Sequence, residues 1–189
     1  MEYSYEVKIP KERIAVLIGK KGSEKKELEE ATSSKIEVDS KEGDVKVSGE
    51  DSLKIFALRE VVKAIGRGFN PDIARLLLKQ DYVLELIPVQ DFVPNKNHLE
   101  RIKGRVIGAK GKSRDTIEKM TETFVSVYGK TIGIIGSVDR VGVAKQAIES
   151  LLNGSPHSNV YTFLERSNAN LKKEEAINWY QSSPSKNDS

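Results

Sequence analysis

The chain has no cysteine, which excludes disulfides and thiolate metal sites. It has two histidines, His98 and His157, in different segments and without the HxH or HExxH spacing that places two imidazoles on one metal. No apolar run approaches the roughly 18 residues that a membrane span needs. The opening Met1-Glu2-Tyr3-Ser4-Tyr5-Glu6 is acidic and polar, unlike a secretory leader. No charge of one sign dominates: 31 Lys and Arg face 28 Asp and Glu, a net +3. That balance does not by itself imply a polyanionic partner, so the distribution of charge matters more than the sum. A cytoplasmic protein without a membrane partner is expected. What is present, 38% apolar and 31% charged residues in 189, fits one or two globular domains.

The most informative feature is a repeat. Ile18-Gly19-Lys20-Lys21-Gly22 recurs 89 residues later as Ile107-Gly108-Ala109-Lys110-Gly111. At the same offset Leu28 meets Ile117, Ile36 meets Val125 and Val38 meets Val127. A loop, a helix core position and a strand pattern in one register mean two copies of one module.

Each copy reads as β-α-α-β-β-α. In the first, Tyr5–Pro10 alternates as a strand and Arg13–Ile18 is a short helix stopped by Gly19. Ser23 is the expected N-cap of a helix over Glu24–Thr32. Lys35–Asp39 and Val45–Ser48 flank the Glu42-Gly43-Asp44 turn as a hairpin. A closing helix capped by Asp51 or Ser52 is expected to turn Leu53, Phe56, Ala57, Val61 and Ala64 or Ile65 inward. Residues 1–66 form this module and 67–80 a helical joint. In the joint, Asn70-Pro71-Asp72 opens a helix with Ile73, Leu76 and Leu77 on one face, so it is packed rather than a flexible tether. The second module, 81–154, repeats the order with strand Tyr82–Val89, helices Leu99–Ile107 and Ser113–Thr121, strands Phe124–Tyr128 and Thr131–Ile135, and closing helix Asp139–Leu152. It carries about a dozen extra residues around Gln90–Asn97. A helical extension over 155–180 follows, amphipathic from Val160 to Lys173 with Val160, Phe163 and Leu164 inward. Residues 181–189 read as a disordered tail.

The loop suits a phosphate backbone. Glycine lets an anion approach the main chain and allows positive φ, and the second glycine opens a helix whose free N–H groups and dipole favour negative charge. Lys20 and Lys21 occupy the middle of the first loop. The second has Ala109 and Lys110, with Lys112 and Arg114 just beyond. From Lys96 to Lys119 there are eight basic and three acidic residues, against seven and five from Lys8 to Glu30. The second copy is therefore expected to hold a backbone more firmly. Ile14, Ile18, Leu28 and Ile36, and in the second copy Ile102, Ile107, Ile117 and Val125, are either the floor of a groove for bases or ordinary core. Aromatic platforms are not evident near either loop, so recognition would lean on van der Waals and base-edge contacts. Gly111-Lys112-Ser113 imitates the end of a nucleotide-binding loop, but that loop requires glycine at the position of Val106 and a preceding strand. Glu29-Glu30 and Glu174-Glu175 read as solvated faces, and no catalytic constellation emerges. Asn153-Gly154-Ser155 matches a glycosylation acceptor that a chain without a leader would not expose to that machinery.

A Gly-x-x-Gly turn between helices, after a strand and before β-β-α, resembles the KH domain of type I, in which such a loop clamps four nucleotides of a single strand. The longer stretch Arg101-Ile102-Lys103-Gly104-Arg105-Val106-Ile107-Gly108-Ala109-Lys110-Gly111-Lys112-Ser113-Arg114, followed by Ser126-Val127-Tyr128-Gly129-Lys130-Thr131, is more specific. With Gly68-Phe69-Asn70-Pro71 and Gly154-Ser155-Pro156-His157 it resembles an archaeal family of two-KH-domain RNA-processing proteins. The eukaryotic relatives of that family are small-subunit ribosome assembly factors, among them the partner of the Nob endonuclease. The resemblance implies an α+β fold of two tandem KH domains, each a three-stranded antiparallel sheet packed on helices. It implies binding to small-subunit ribosomal RNA near its 3′ end on a pre-ribosomal particle, contact with a Nob-type nuclease, no cofactor, and no catalysis. The family's RNA loop falls on Gly108, Ala109, Lys110 and Gly111, with Arg101, Lys103, Arg105 and Arg114 around it. The eukaryotic relatives tend to lose the first loop, whereas this chain keeps Gly19 and Gly22. A general RNA or single-stranded DNA regulator and a scaffold recruiting a nuclease are the rival readings.

Overall fold

The computed structural model describes residues 2–93 and 98–182. The first module runs β1 (Tyr3–Lys8), α1 (Lys11–Ile18), α2 (Ser23–Thr32), β2 (Lys35–Asp39), β3 (Asp44–Gly49) and α3 (Ser52–Gly66). The joint is α4 (Pro71–Ala74) and a 3₁₀ turn over Arg75–Leu78. The second module runs β4 (Tyr82–Pro88), α5 (Leu99–Ile107), α6 (Lys112–Thr121), β5 (Phe124–Tyr128), β6 (Thr131–Ser137) and α7 (Val138–Leu152), and α8 (His157–Ser182) follows. Each module has a three-stranded antiparallel sheet with its last strand central, in the orders β1-β3-β2 and β4-β6-β5. Val7 and Val38 both pair with Val45, and Ile87 and Val127 both pair with Ile132.

The duplication extends to backbone detail at the expected offset. Thr32 Oγ1 donates to the Leu28 carbonyl at 2.7 Å, and Thr121 Oγ1 to that of Ile117 at 2.7 Å. The next residues, Ser33 and Glu122, both turn left-handed, at φ 52° and 53°, which ends each helix and sends the chain into the middle of the hairpin.

The two sheets are buried differently. In the first, Val45 and Val47 face α3 while Lys46 is exposed, the alternation of a sheet covered on one side. In the second, Ile132 and Ile134 join the core beneath α7, whereas Ile135 of the same strand packs into the core of the first module, with Tyr82 and Leu84 against it. A Cβ on Gly133 would come within 2.6 Å of the Phe69 ring. Phe69, Ala74 and Leu77 of the joint are buried in that same core. The second sheet is thus covered on both faces, by its own helices and by the first module. The uninterrupted apolar run over 132–135 follows from that. Ser126 Oγ donates to the Arg67 carbonyl at 2.9 Å, the Tyr128 hydroxyl donates to Glu12 at 2.5 Å, and the Arg13 guanidinium lies 5.9 Å from the Tyr128 ring centre.

Several sequence expectations are corrected. Asp51 caps α3, accepting from the Leu53 and Lys54 N–H groups, but Leu53 is 77% and Phe56 49% exposed. The inward face is Ile55, Leu58, Val61, Val62 and Ile65, because α3 carries two apolar stripes and the sheet takes the one that Ile55 leads. Ser23 does not cap α2. Gly22, left-handed at φ 80°, holds that position and Ser23 is already helical. The helical extension expected over 155–180 is one helix over 157–182, continuing past the amphipathic stretch 160–173. Val160 and Leu164 are buried as expected, while Phe163 is half-buried. The tail expected from 181 begins inside this helix, which includes 181 and 182; the rest of it, from 183, and residues 94–97 of the insertion lie outside the described residues.

Candidate nucleic-acid interface

The loops are built by the ends of two helices. α1 closes with the Gly19 N–H on the Ala15 carbonyl at 3.0 Å, and α5 with the Gly108 N–H on the Gly104 carbonyl at 2.8 Å. Both glycines take φ 72° with extended ψ. The third loop residues, Lys21 and Lys110, are left-handed at φ 55° and 52° although neither is glycine. That geometry aims the chain directly into α2 and α6. Neither helix has a side-chain cap. The Ser23 and Lys112 N–H groups donate to the Lys20 and Ala109 carbonyls, and no capping side chain competes with an anion for the rest of the first turn.

The two glycines of each loop serve different purposes. A Cβ on Gly19 would sit 2.5 Å from Glu24 Cγ, and one on Gly108 would sit 2.6 Å from Ser113 Cβ. The first glycine is therefore required by packing. A Cβ on Gly22 would meet nothing within 4 Å, and one on Gly111 only side-chain tips at 3.9–4.0 Å. The second glycine leaves open space where a phosphate can approach.

The basic residues separate into two groups. The side chains of Lys20, Lys21, Arg101, Lys110 and Lys112 are exposed, and no ion pair or side-chain hydrogen bond holds them among the described residues. Arg114 pairs loosely with Asp115 at 3.6 Å and Glu118 at 3.9 Å. Lys103 is held by Glu100 at 2.6 Å and donates to the Gly129 carbonyl at 3.1 Å. Arg105 is a structural clamp: Nε donates to the Leu151 carbonyl at 3.0 Å and Nη2 to that of Ser155 at 2.6 Å. Its own carbonyl meets His157 Nε2 at 2.8 Å. Arg13 does the same in the first module, with Nε on Ile65 and Nη2 on Phe69, both at 2.7 Å. In each module an arginine of the first helix binds the negative end of the last one, which steadies the helix leading into the loop. Arg13 and Arg105 are not equivalent by the repeat register, so the sequence did not pair them. Lys96 lies outside the described residues.

The groove expectation narrows. Leu28, Ile36 and Ile117 are fully buried core, and Ile14, Ile102 and Val125 are nearly so, because they are drawn into the helix–sheet interface. Ile18 and Ile107, immediately before each loop, stay half-buried and can still meet a base. Glu29 is not a solvated face residue. It accepts from the Ile36 N–H at 2.7 Å, as Glu118 accepts from the Val125 N–H at 2.7 Å. These carboxylates pin each loop helix to the neighbouring strand, and the shared offset of 89 was the signal that could have exposed them. Burial pushes the Glu118 carboxyl above its ordinary range, against the Val125 N–H and Arg114, which pull it down. Glu175 likewise binds Arg140 at 2.6 Å, and Arg140 also reaches Glu122 at 3.3 Å. Among the described residues no group of three acidic or imidazole side chains could hold a metal ion, and no helix is long and apolar enough to cross a membrane.

Two sheet-and-helix modules, each with a Gly-x-x-Gly turn opening an uncapped helix, define a tandem KH protein of type I. The KH domain model matches residues 4–67, and the model of the eukaryotic-type KH domain of type I, in its PNO1 second-domain form, matches 83–169. A KH domain-containing protein of Methanocaldococcus jannaschii is 45% identical over 181 residues, covering 94% of this chain and 79% of that one. The pre-rRNA-processing protein PNO1 of Coccidioides immitis is 35% identical over 66% of this chain. The chain spans about half the length of that relative, 46%. A crystal structure of the a/eIF2alpha–aDim2p–rRNA complex from Pyrococcus horikoshii contains a chain 47% identical, with a TM-score of 0.85 over 89% of this chain and 96% of that one. The chain belongs to the KH family that archaeal Dim2p and eukaryotic PNO1 share.

Proposed function

We propose that the protein binds single-stranded RNA, chiefly through Gly108-Ala109-Lys110-Gly111, and serves as a maturation factor of small-subunit ribosomal RNA that catalyses nothing itself. The observation that carries this reading is the second loop. Lys110 and Lys112, unpaired among the described residues, flank an uncapped helix start whose first turn offers Ser113 and Asp115 rather than a run of carboxylates. Arg101 and Arg114 extend the basic flank. The relatives supply the substrate: one bears the name of a pre-rRNA-processing protein and another was solved with rRNA. Action near the rRNA 3′ end, on a pre-ribosomal particle beside a Nob-type nuclease and in the cytoplasm, completes the proposal.

The test replaces Ala109 and Lys110 with aspartate. Both side chains are exposed, and aspartate tolerates the left-handed conformation at 110 better than most residues, so the fold is kept. Affinity for a small-subunit 3′-end RNA should fall by at least tenfold, and crosslinked RNA from cells should lose its reads at that end. Unchanged affinity in a folded variant overturns the reading. A pull-down of the nuclease that survives ribonuclease and the double substitution would favour a scaffold instead.

A further inference from the structure

The two loops share a backbone but differ in what lies beneath the first glycine. In the second module that place belongs to Ser113, which is 1% exposed and whose Oγ has no partner among the described residues. In the first it belongs to Glu24, the residue at the same offset. Its side chain runs under Gly19, with Cγ 2.5 Å from where a Cβ would be. Glu27, one turn on, corresponds to the neutral Thr116. The first loop thus has the more cationic tip, Lys20 and Lys21, above a helix start bearing two carboxylates.

Those carboxylates are answered from outside the module. Arg75, in the joint, places Nη2 on Glu24 at 2.5 Å and Nη1 on Glu27 at 2.7 Å. Burial works against the charged guanidinium, but the two carboxylates outweigh it and the net shift raises its pKa. Its Nε is buried without a partner among the described residues. Glu24, Glu27 and Arg75 sum to one negative charge, which Lys20 and Lys21 exceed. Without Arg75 the sum is two, and the loop would be neutral. The other acidic residues of α2 are already matched, with Lys25 facing Glu29 and Lys26 facing Glu30 at 3.8 and 3.7 Å.

We propose that Arg75 is a positioning residue that keeps the first Gly-x-x-Gly loop able to hold a phosphate, by neutralising Glu24 and Glu27. Glu24 is then the residue that sets this loop's affinity below that of the second. The joint between the modules becomes part of the RNA site of the first one. This rests on the RNA-binding reading above and adds a division of labour to it: a strong loop, and a weaker one whose strength depends on how the joint is seated.

The experiment uses the full chain with the second loop silenced by Ala109→Asp and Lys110→Asp, and a fluorescein-labelled 12-nucleotide RNA of mixed sequence. Into that background go Glu24→Ser, Arg75→Ala and both together, with folding followed by circular dichroism. One unit charge about 4 Å away in water corresponds to a factor of about five. Glu24→Ser should therefore tighten residual binding by about fivefold, and Arg75→Ala should weaken it by a similar factor. With serine at 24 the effect of losing Arg75 should shrink, since one of its two targets is gone. The salt dependence should keep its slope in Arg75→Ala, because no direct phosphate contact is lost. An equal effect of Arg75→Ala with either residue at 24, or a slope lowered by about 0.7, overturns the proposal by making Arg75 a direct contact or a mere fold residue. If silencing leaves no measurable binding, the gain from Glu24→Ser decides alone, and no gain overturns it. Failure of the RNA reading looks different: silencing the second loop would then leave the affinity of the parent chain unchanged.

Discussion

Lys110 and Arg105 lie five residues apart in one basic stretch, and the sequence treats them alike. Their surroundings separate them, and two substitutions should show it in opposite measurements. Lys110 is exposed at the tip of the second loop, without a partner among the described residues. Replacing it with alanine should leave stability within about 0.5 kcal/mol, as for most surface changes. It should lower the slope of log affinity against log salt by about 0.7 for single-stranded RNA. Between about 50 and 200 mM salt, the parent should therefore lose about 2.6-fold more affinity than the variant. Arg105 donates to two carbonyls at 3.0 and 2.6 Å. Hydrogen bonds from a charged donor contribute about 1.5–3 kcal/mol each. The pair is partly exposed, so about 3 kcal/mol in total is the expected loss in Arg105→Ala. For a chain of this size that is a fall in Tm of about 6–12 °C. Measured at a temperature where the variant is folded, its salt slope should match the parent's. Thermal melts by circular dichroism and RNA titrations at four salt concentrations supply both numbers. An unchanged melt with a slope lowered by a full contact in Arg105→Ala would refute the assignment and return Arg105 to the phosphate.

The repeat made the fold legible. Because each Gly-x-x-Gly sat in fixed register with Ile36 or Val125 and with Leu28 or Ile117, strand, helix and hairpin order could be read twice from one pattern. Binary patterning then failed where burial was not one-sided. The two stripes of α3 are both apolar, and only tertiary packing selects Ile55 over Phe56 for the interior. The long run at 132–135 read simply as a strand, and the sequence did not say that Ile135 would enter the other module's core. The backbone of the candidate site was legible in its loops, since glycine spacing reports backbone geometry directly. It was less legible in its charges. Whether a cation is free depends on which carbonyls its helix happens to face, and Arg105 faces the end of α7 while Lys110 faces solvent. Glu24, Glu27 and Arg75 meet only through the path of the joint, across 51 residues of sequence, a coupling that local charge counts do not contain.

Gly108→Ala should destabilise the fold by more than about 1 kcal/mol, through positive φ and a 2.6 Å approach to Ser113. Gly111→Ala should be milder in melts yet lower RNA affinity, and the reverse ranking would contradict the division between packing and approach. Phe69→Ala should cost about 3–5 kcal/mol as a buried aromatic and split a single melting transition into two. A single transition at the parent's temperature would mean that the modules do not depend on this contact. The last expectation concerns pH at the seam between modules. The hydrogen bond from Tyr128 is the largest influence on Glu12 and lowers its pKa, while the bond to Glu12 raises that of Tyr128. A carboxyl lowered on folding stabilises above its unfolded value, and that contribution is lost as pH falls through the folded one. A phenol raised on folding stabilises below its unfolded value, and that contribution is lost as pH rises through the folded one. Glu12 is exposed and Tyr128 half-buried at the surface of the seam, so the effect on total stability is small, and it should appear locally in amide exchange of residues 126–128 and 12–13. Protection there should peak between the carboxylate and phenol ranges, and Tyr128→Phe should remove both limbs at once. Protection that varies identically with pH in the parent and in Tyr128→Phe would place the pH dependence elsewhere in the seam.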